Sequence, residues 1–461
     1  MNKSPIPKSG KPMAKKIIII GSGAAGMTAA STAKEKDPDS EVIVFTEDTD
    51  IAYSPCAIPW GIEGKSAWTD IVMHTPDFYE KERGIKVFTQ TKVEAVDDAA
   101  KTVTANGKAY NYDSLVIAAG SRVFVPPIDG AGLENVYKVK TVADGKRMQK
   151  ALCDAKEVVI GGAGVIGLEL AVAMKEMGKD VTVIEMMDQV IPRIADKDLA
   201  DIVQKHLEEM GIKFVMKAPV QKINGTDKVE SVTAAGQDYP CQIMVFATGV
   251  RAALDLPKEL GFDIGQLNAV VVSPTLQPYR RGRLVPDIFL AGDLVQCTSA
   301  VYPGATMSQL GSTAVKQGRV AGNNAASSDK LEFGPVASPW VSAIGPVQIA
   351  GTGMSRGLAS WYGVDVVEGK AAGLSRARYY PGGMPMVVKV LADRTSKRII
   401  GAQIVSGEEV TGRIDWLTCA IVNGMTANDF LVRSENAYCP PTSMVKDPVI
   451  SAVEDLVRNL Q

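Results

Sequence analysis

Three stretches of this chain hold residues able to do chemistry together: a glycine fingerprint at Gly21, Gly23 and Gly26, a second at Gly162, Gly164 and Gly167, and between them Cys56 in the run Tyr53-Ser54-Pro55-Cys56-Ala57-Ile58-Pro59. Each fingerprint follows a β-branched run and opens an alanine-rich helical stretch, the setting in which G-x-G-x-x-G holds a dinucleotide pyrophosphate. The first glycine makes the tight turn, the second lets the backbone approach the phosphates, and the third allows close helix packing. A single match would serve equally as a structural turn; two of them imply two dinucleotides. A flavin and a nicotinamide on one chain can exchange electrons, and a cysteine just past the first unit is placed to receive them.

The residues around the glycines join the cofactor-binding set: Ala24 and Ala25 in the first loop, Val165 and Ile166 in the second. Thr46 stands where an acid usually ends the second strand of such a unit and Glu47 follows it, so ribose contact falls to this pair. In the second unit Glu185 is in place to accept hydrogen bonds from a ribose diol and to repel a 2′-phosphate. Met186, Met187 and Asp188 come next, with no base until Arg193, which favours NADH over NADPH.

A thiol at a Gly/Pro-punctuated turn gains thiolate character from helix-terminal amides or a neighbouring cofactor, and Cys56 is expected to do so. Most cysteines are small buried hydrophobes, and Cys153, Cys241, Cys297 and Cys419 are read that way. No pair of the six is spaced as a metal or disulfide motif, and His74 and His206 build no metal centre.

The elements that must position these residues follow from the apolar pattern. Lys16 to Ile20, a helix to about Lys36, and Glu41 to Phe45 make one βαβ unit; Glu157 to Ile160, a helix to Met177 with Gly178 as its C-terminal glycine, and Asp180 to Ile184 repeat it. Two more apolar strands end in small residues, 114–118 before Ala119 and Gly120, and 243–248 before Gly249. The run 286–291 closes on Gly292 and Asp293 and is followed by a helix from about Met307 to Asn324, all assigned to the first unit. The fold class is α/β: two Rossmann-like dinucleotide-binding domains, for FAD and NAD, and a C-terminal α+β dimerisation domain. The expected boundaries are a mobile extension at 1–14, an FAD domain at 15–150 and 271–330, an NAD(P)H domain at 151–270, and the last domain at 331–461.

With 50 basic and 52 acidic residues in 461, the chain has no field to attract nucleic acid or anionic lipid. No apolar run nears the roughly 18 residues of a membrane helix. A cytoplasmic protein with small-molecule partners, or another copy of itself, is expected.

The glycine motifs, Tyr53 to Pro59, Gly162 to Glu169, Ala247-Thr248-Gly249, Gly292-Asp293 and Tyr438-Cys439-Pro440-Pro441 together resemble the single-cysteine branch of the pyridine nucleotide-disulfide oxidoreductases, over nearly the whole length. That branch holds coenzyme A disulfide reductases, NADH oxidases and peroxidases, and NAD(P)H-dependent persulfide or polysulfide reductases. The resemblance implies that Asp293 contacts the FAD ribityl and phosphate region, that Glu169 sits near nicotinamide and flavin, and that Cys56 lies over the isoalloxazine. It also implies a homodimer in which Tyr438 reaches the other subunit's site. The second cysteine and C-terminal histidine of two-cysteine relatives are missing: positions 51 and 61 are Ile51 and Gly61. Cys56 must then cycle through a mixed disulfide, persulfide or sulfenic acid. Tyr379-Tyr380-Pro381-Gly382 resembles a coenzyme A reductase pattern, although an aromatic pair at a strand end packs there equally well, and Glu35 weakens a coenzyme A site on the first helix. Thr28, Tyr379, Tyr380 and Cys439 are the substrate candidates; Cys439 is either a resolving thiol across the dimer or a buried alanine substitute. Coenzyme A disulfide or polysulfide is the expected acceptor. The alternatives are an NADH oxidase or peroxidase, the latter disfavoured by Ala24 where peroxidases carry histidine, and a flavin electron carrier serving a protein acceptor.

Overall fold

The structure is a computed structural model that describes residues 14–461. The extension expected at 1–14 lies, but for Ala14, outside them. Ile17, Ile18, Ile19 and Ile20 are buried on both faces of a strand, as a central strand of a covered parallel sheet requires. That strand, Lys16–Ile20, is the middle of a five-stranded parallel sheet in the order Ile288–Leu290, Ser114–Ile117, Lys16–Ile20, Glu41–Phe45, Ile85–Phe88. The late strand joins the early ones through Ile288, Phe289 and Leu290 beside Leu115, Val116 and Ile117.

A second parallel sheet repeats the plan around Glu157–Gly161, in the order Lys213–Val215, Asp180–Ile184, Glu157–Gly161, Ile243–Phe246, Val136–Lys138. Each half also carries a three-stranded antiparallel meander, 93–111 and 220–240. The edge strand Val136–Lys138 precedes residue 150 in the chain yet pairs with this second sheet.

The helices begin later than the glycines suggest, at Ala24–Lys36 and Val165–Glu176, because the first two glycines of each fingerprint are spent on the turn before the helix. Helix Gly311–Ala326 crosses the first helix so closely that a Cβ on Gly318 or Gly322 would lie 2.4 Å from the Ala25 carbonyl or 2.3 Å from that of Ala29. Small residues on both helices are the condition of that approach. Gly178 is left-handed (φ 77°) just past its helix and donates its N–H to Lys175.

The C-terminal unit is a five-stranded antiparallel sheet, Trp340–Ile344, Val347–Gly353, Ile399–Ser406, Pro385–Asp393, Val366–Leu374. Helices Thr411–Val422 and Pro448–Asn459 cover it, with Leu417, Val449, Val453 and Leu456 in its core. Buried Lys389 ties this unit to the second one, reaching Asp198 at 2.6 Å, Asp196 at 3.2 Å and Glu368 at 3.5 Å. Among the described residues no helix is long and apolar enough to cross a membrane.

Candidate active site

Gly21, at φ 107°, turns the chain so tightly that a Cβ there would sit 2.2 Å from the Ala118 carbonyl, and one on Gly26 would sit 1.9 Å from the carbonyl of Gly21. At Gly23 a Cβ would meet nothing within 4 Å. Gly23 is also the N-cap of helix Ala24–Lys36 and supplies no side-chain cap. Gly23 and Ala24 are both exposed, so the N-terminal end of the helix is open to an anionic pyrophosphate. Thr46 is buried, and its hydroxyl accepts from Ser22 Oγ at 3.0 Å and the Asp48 N–H at 3.2 Å, bracing the loop and leaving Glu47 exposed. Glu47 lines a cleft of about 290 Å³ with Asp48, Tyr53, Asp144 and Arg147. Ala119 is exposed, Gly120 half-buried, and Gly292 (φ 93°) is fixed by donating its N–H to Gln317 Oε1 at 2.7 Å. Asp293 follows at the strand's end. These groups fit FAD: an open helix end for its phosphates, and carboxylates for hydroxyls.

The second loop repeats the geometry. A Cβ on Gly162 would lie 2.5 Å from the Ala247 carbonyl and one on Gly167 2.1 Å from that of Gly162, while Gly164 faces open space. Val165 and Ile166 open the helix, Ile166 exposed, and Gly249 is left-handed with space before it. Glu185 is buried and its carboxylate accepts from the Ala163 N–H and the Met187 N–H, both at 2.8 Å. The carboxylate is thereby fixed beside the glycine loop, with exposed Met186 next to it and, among the described residues, no cation bonded to it.

Cys56 sits on the 3₁₀ turn Pro55–Ala57, exposed, immediately before helix Ile58–Glu63. The thiolate character expected of it is not what the surrounding protein confers. Desolvation by the surrounding chain pushes the thiol pKa up and the Glu169 carboxylate adds to this, against the Ser54 hydroxyl, the Lys140 ammonium and a backbone hydrogen bond. Glu169 is itself raised by burial, opposed by a hydrogen bond from Ser342 Oγ at 2.6 Å.

Tyr438 and Tyr379 share a hydroxyl–hydroxyl hydrogen bond on the C-terminal unit, both exposed. That bond holds the Tyr438 phenol above its ordinary pKa. Tyr380 lies over Arg376, 5.8 Å from ring centre to guanidinium carbon. Cys439 is exposed rather than buried and donates its N–H to Ser443 Oγ at 3.1 Å. The bonds of this group and those around Cys56 share no residue within one chain. Thr28 packs on the seam with Gly318, 3.0 Å from where a Cβ there would be.

Sequence reasoning passed over Ser121, Lys140 and Ser342. Ser121 Oγ donates to Asp293 Oδ2 at 2.6 Å, and Lys140 Nζ lies 2.9 Å from Ser121 Oγ and 3.6 Å from Asp293 Oδ2. The one available signal was the Thr141 to Asp144 capping box, which marks a helix start right after Lys140.

Comparison with known proteins matches residues 15–318 to the pyridine nucleotide-disulphide oxidoreductase family model and residues 341–448 to the dimerisation domain of that family. A Methanocaldococcus jannaschii protein named NADH oxidase is 43% identical over 451 residues, 96% of this chain and 99% of that protein. The NAD(P)H coenzyme A polysulfide/persulfide reductase of Pyrococcus horikoshii is 32% identical over 445 residues, 96% of this chain and 98% of its own. Among solved structures, an NAD-dependent persulfide reductase from A. fulgidus superposes with a TM-score of 0.91 at 33% identity, covering 95% of this chain and 82% of that one.

Proposed function

The chain belongs to the pyridine nucleotide-disulphide oxidoreductases, an enzyme family that uses FAD and NAD(P)H, and from that premise we propose that it reduces a low-molecular-weight disulfide, persulfide or polysulfide with NADH, Cys56 being the sulfur that meets the acceptor. Coenzyme A disulfide or polysulfide is the acceptor we assign. The open helix end at Gly23 and Ala24, with Ala25, Thr46, Glu47, Ala119, Gly120, Gly292 and Asp293, forms the FAD site; the Gly162 to Gly167 loop, Glu185 and Gly249 form the NADH site. FAD, when bound, supplies two-electron transfer between nicotinamide and thiol.

The observation that carries this reading is an exposed thiol on a turn, under the charge of the half-buried Glu169 carboxylate, with no second cysteine in its run. The Cys56 thiolate attacks one acceptor sulfur, a new S–S bond forms as the old one breaks, and the leaving thiolate takes up a proton. The electron pair drawn from NADH then cleaves the mixed disulfide, restoring the Cys56 thiolate and releasing the second half of the acceptor as a thiol or sulfide. Tyr438, bonded to Tyr379, donates a hydrogen bond to the leaving sulfur in the site of a second subunit, in place of an imidazole. We propose the domain division 15–150 with 271–330, 151–270, and 331–461, save that strand Val136–Lys138, paired into the second sheet, goes with 151–270. Six unpaired thiols suit the reducing cytoplasm.

The name of the Methanocaldococcus jannaschii relative favours a second reading, in which oxygen is the acceptor. Purified FAD-loaded protein, given NADH and in turn coenzyme A disulfide, polysulfide, oxygen and a ferredoxin, separates them by kcat/KM. A sulfur acceptor is expected to lead; oxygen or the ferredoxin leading would overturn the assignment.

A further inference from the structure

The ladder of strand Ile288–Leu290 runs on to Ala291, whose N–H meets the Ile117 carbonyl at 3.2 Å. The next amide, that of Gly292, is buried and has left the sheet, and a buried N–H needs a partner. It donates to Gln317 Oε1 at 2.7 Å. The other end of the same side chain, Nε2, donates to Cys297 Sγ at 3.2 Å. Gln317, on helix Gly311–Ala326, is 1% exposed, and Cys297 is buried too. One carboxamide therefore clasps both ends of the segment 292–297, whose second residue is Asp293. An amide is suited to this because it accepts at one atom and donates at the other. The middle is held as well: Gln309 Nε2 donates to the Asp293 carbonyl at 3.3 Å, and the Val295 N–H returns to the Gly292 carbonyl at 3.2 Å. The helix that supplies the clasp is itself seated, through Gly318 and Gly322, on the carbonyls of Ala25 and Ala29 in the helix that follows the first glycine loop. Gly292 abuts that same helix, a Cβ on it lying 3.2 Å from the Ala25 Cβ.

We propose that Gln317 is a positioning residue for the flavin: by bonding Gly292 and Cys297 at once it fixes the turn from which Asp293 presents its carboxylate, and so sets how long FAD stays bound. The inference rests on the assignment of Asp293 to the FAD site made above. The Ser121 hydroxyl orients the Asp293 carboxylate at Oδ2, 2.6 Å away, whereas Gln317 fixes the backbone on either side of it. Without the amide, the buried Gly292 N–H loses its acceptor, and an unmade bond of this kind costs more than the made bond is worth. The segment then opens to recover water. Burial also pushes the Cys297 thiol up to about 11, so this cysteine is inert while the segment stays closed and reports its opening.

The test uses full-length, FAD-loaded protein and two readouts. FAD release on dilution is followed by flavin fluorescence. Labelling of Cys297 by N-ethylmaleimide is followed by mass spectrometry, with Cys241, buried in the second unit, as internal control. Gln317→Met keeps the length of the side chain and removes both bonds. It is expected to release FAD about tenfold faster, the scale of one unsatisfied buried group, and to label Cys297 several-fold faster with Cys241 at the wild-type rate. Cys297→Ala, which opens one end of the clasp, is expected to release FAD a few-fold faster, and Cys297→Ser, which keeps an acceptor for Nε2, to restore the wild-type rate. That pair decides the matter if Gln317→Met does not fold. Wild-type FAD release in Gln317→Met or Cys297→Ala overturns the inference, and so does Cys241 labelling that rises together with Cys297. The site assignment fails by a different readout, wild-type FAD retention in Asp293→Ala, so the two failures are distinguishable.

Discussion

Ser342 donates a 2.6 Å hydrogen bond to Oε1 of Glu169, so the carboxylate that opposes ionisation of Cys56 is held from the C-terminal unit although its own helix belongs to the second dinucleotide unit. Burial raises Glu169 and the Ser342 bond draws it back down. The charge state of this carboxylate therefore depends on how the C-terminal strand Trp340–Ile344 seats against helix Val165–Glu176.

Replacing Glu169 by Gln removes a negative neighbour that favours the protonated thiol, so Cys56 should alkylate a few-fold faster at a pH below its midpoint. Stability follows the sign of the shift. A carboxyl whose folded pKa is raised stabilises fully below its unfolded value, about 4.3, and loses that contribution as pH rises through the folded pKa. Glu169→Gln should then be more stable than wild type at neutral pH in urea unfolding, with the difference closing in acid.

Glu185 accepts two backbone hydrogen bonds beside the second glycine loop, and the exposed Met186 leaves a 2′-phosphate without a cation. Glu185→Ala with Met186→Arg should cut kcat/KM for NADH by about tenfold or more, the scale of a charged hydrogen bond at roughly 1.5–3 kcal/mol, and raise it for NADPH. Steady-state kinetics with the two nucleotides checks this.

The two glycine loops should separate by substitution. Gly26→Ala drives a methyl to within 1.9 Å of the Gly21 carbonyl, and Gly167→Ala to within 2.1 Å of that of Gly162. The first variant should purify without flavin absorbance; the second should keep its flavin colour and lose NADH binding.

Lys389 is buried among Asp196, Asp198 and Glu368. Burial alone would lower its pKa, but the Asp198 hydrogen bond and the three carboxylates raise it. Its stabilising contribution is therefore complete at neutral pH and disappears only as pH climbs through a folded pKa above the ordinary lysine value. Lys389→Met takes the cation from buried Asp196, while Asp198 keeps Lys370 and Glu368 keeps Arg356, and should cost about 3–5 kcal/mol in urea unfolding at neutral pH.

Much of this was legible in the chain. The runs Ile17 to Ile20 and Val158 to Ile160 read as central parallel strands because burial on both faces leaves no polar alternation, and the glycine turns read because only glycine fits them. Strand Val136–Lys138 was not legible as part of the second sheet, since its partner Ile243–Phe246 lies far away in sequence. Ser121, Lys140 and Asp293 were equally silent as a set: three single polar residues at unrelated positions carry no period or spacing. The upward push on the Cys56 thiol was not legible because its main cause is desolvation by the folded chain, to which the charge of Glu169, on a helix of another unit, adds.

Cys56 as the acceptor-reducing sulfur is tested most directly by Cys56→Ser, loaded with FAD and followed by NADH consumption with coenzyme A disulfide or polysulfide. Turnover with these acceptors is expected to fall by at least about a hundredfold, as loss of a nucleophile does, while NADH still bleaches the flavin in a single turnover. A serine variant that reduces the sulfur acceptors at the wild-type rate would contradict the account.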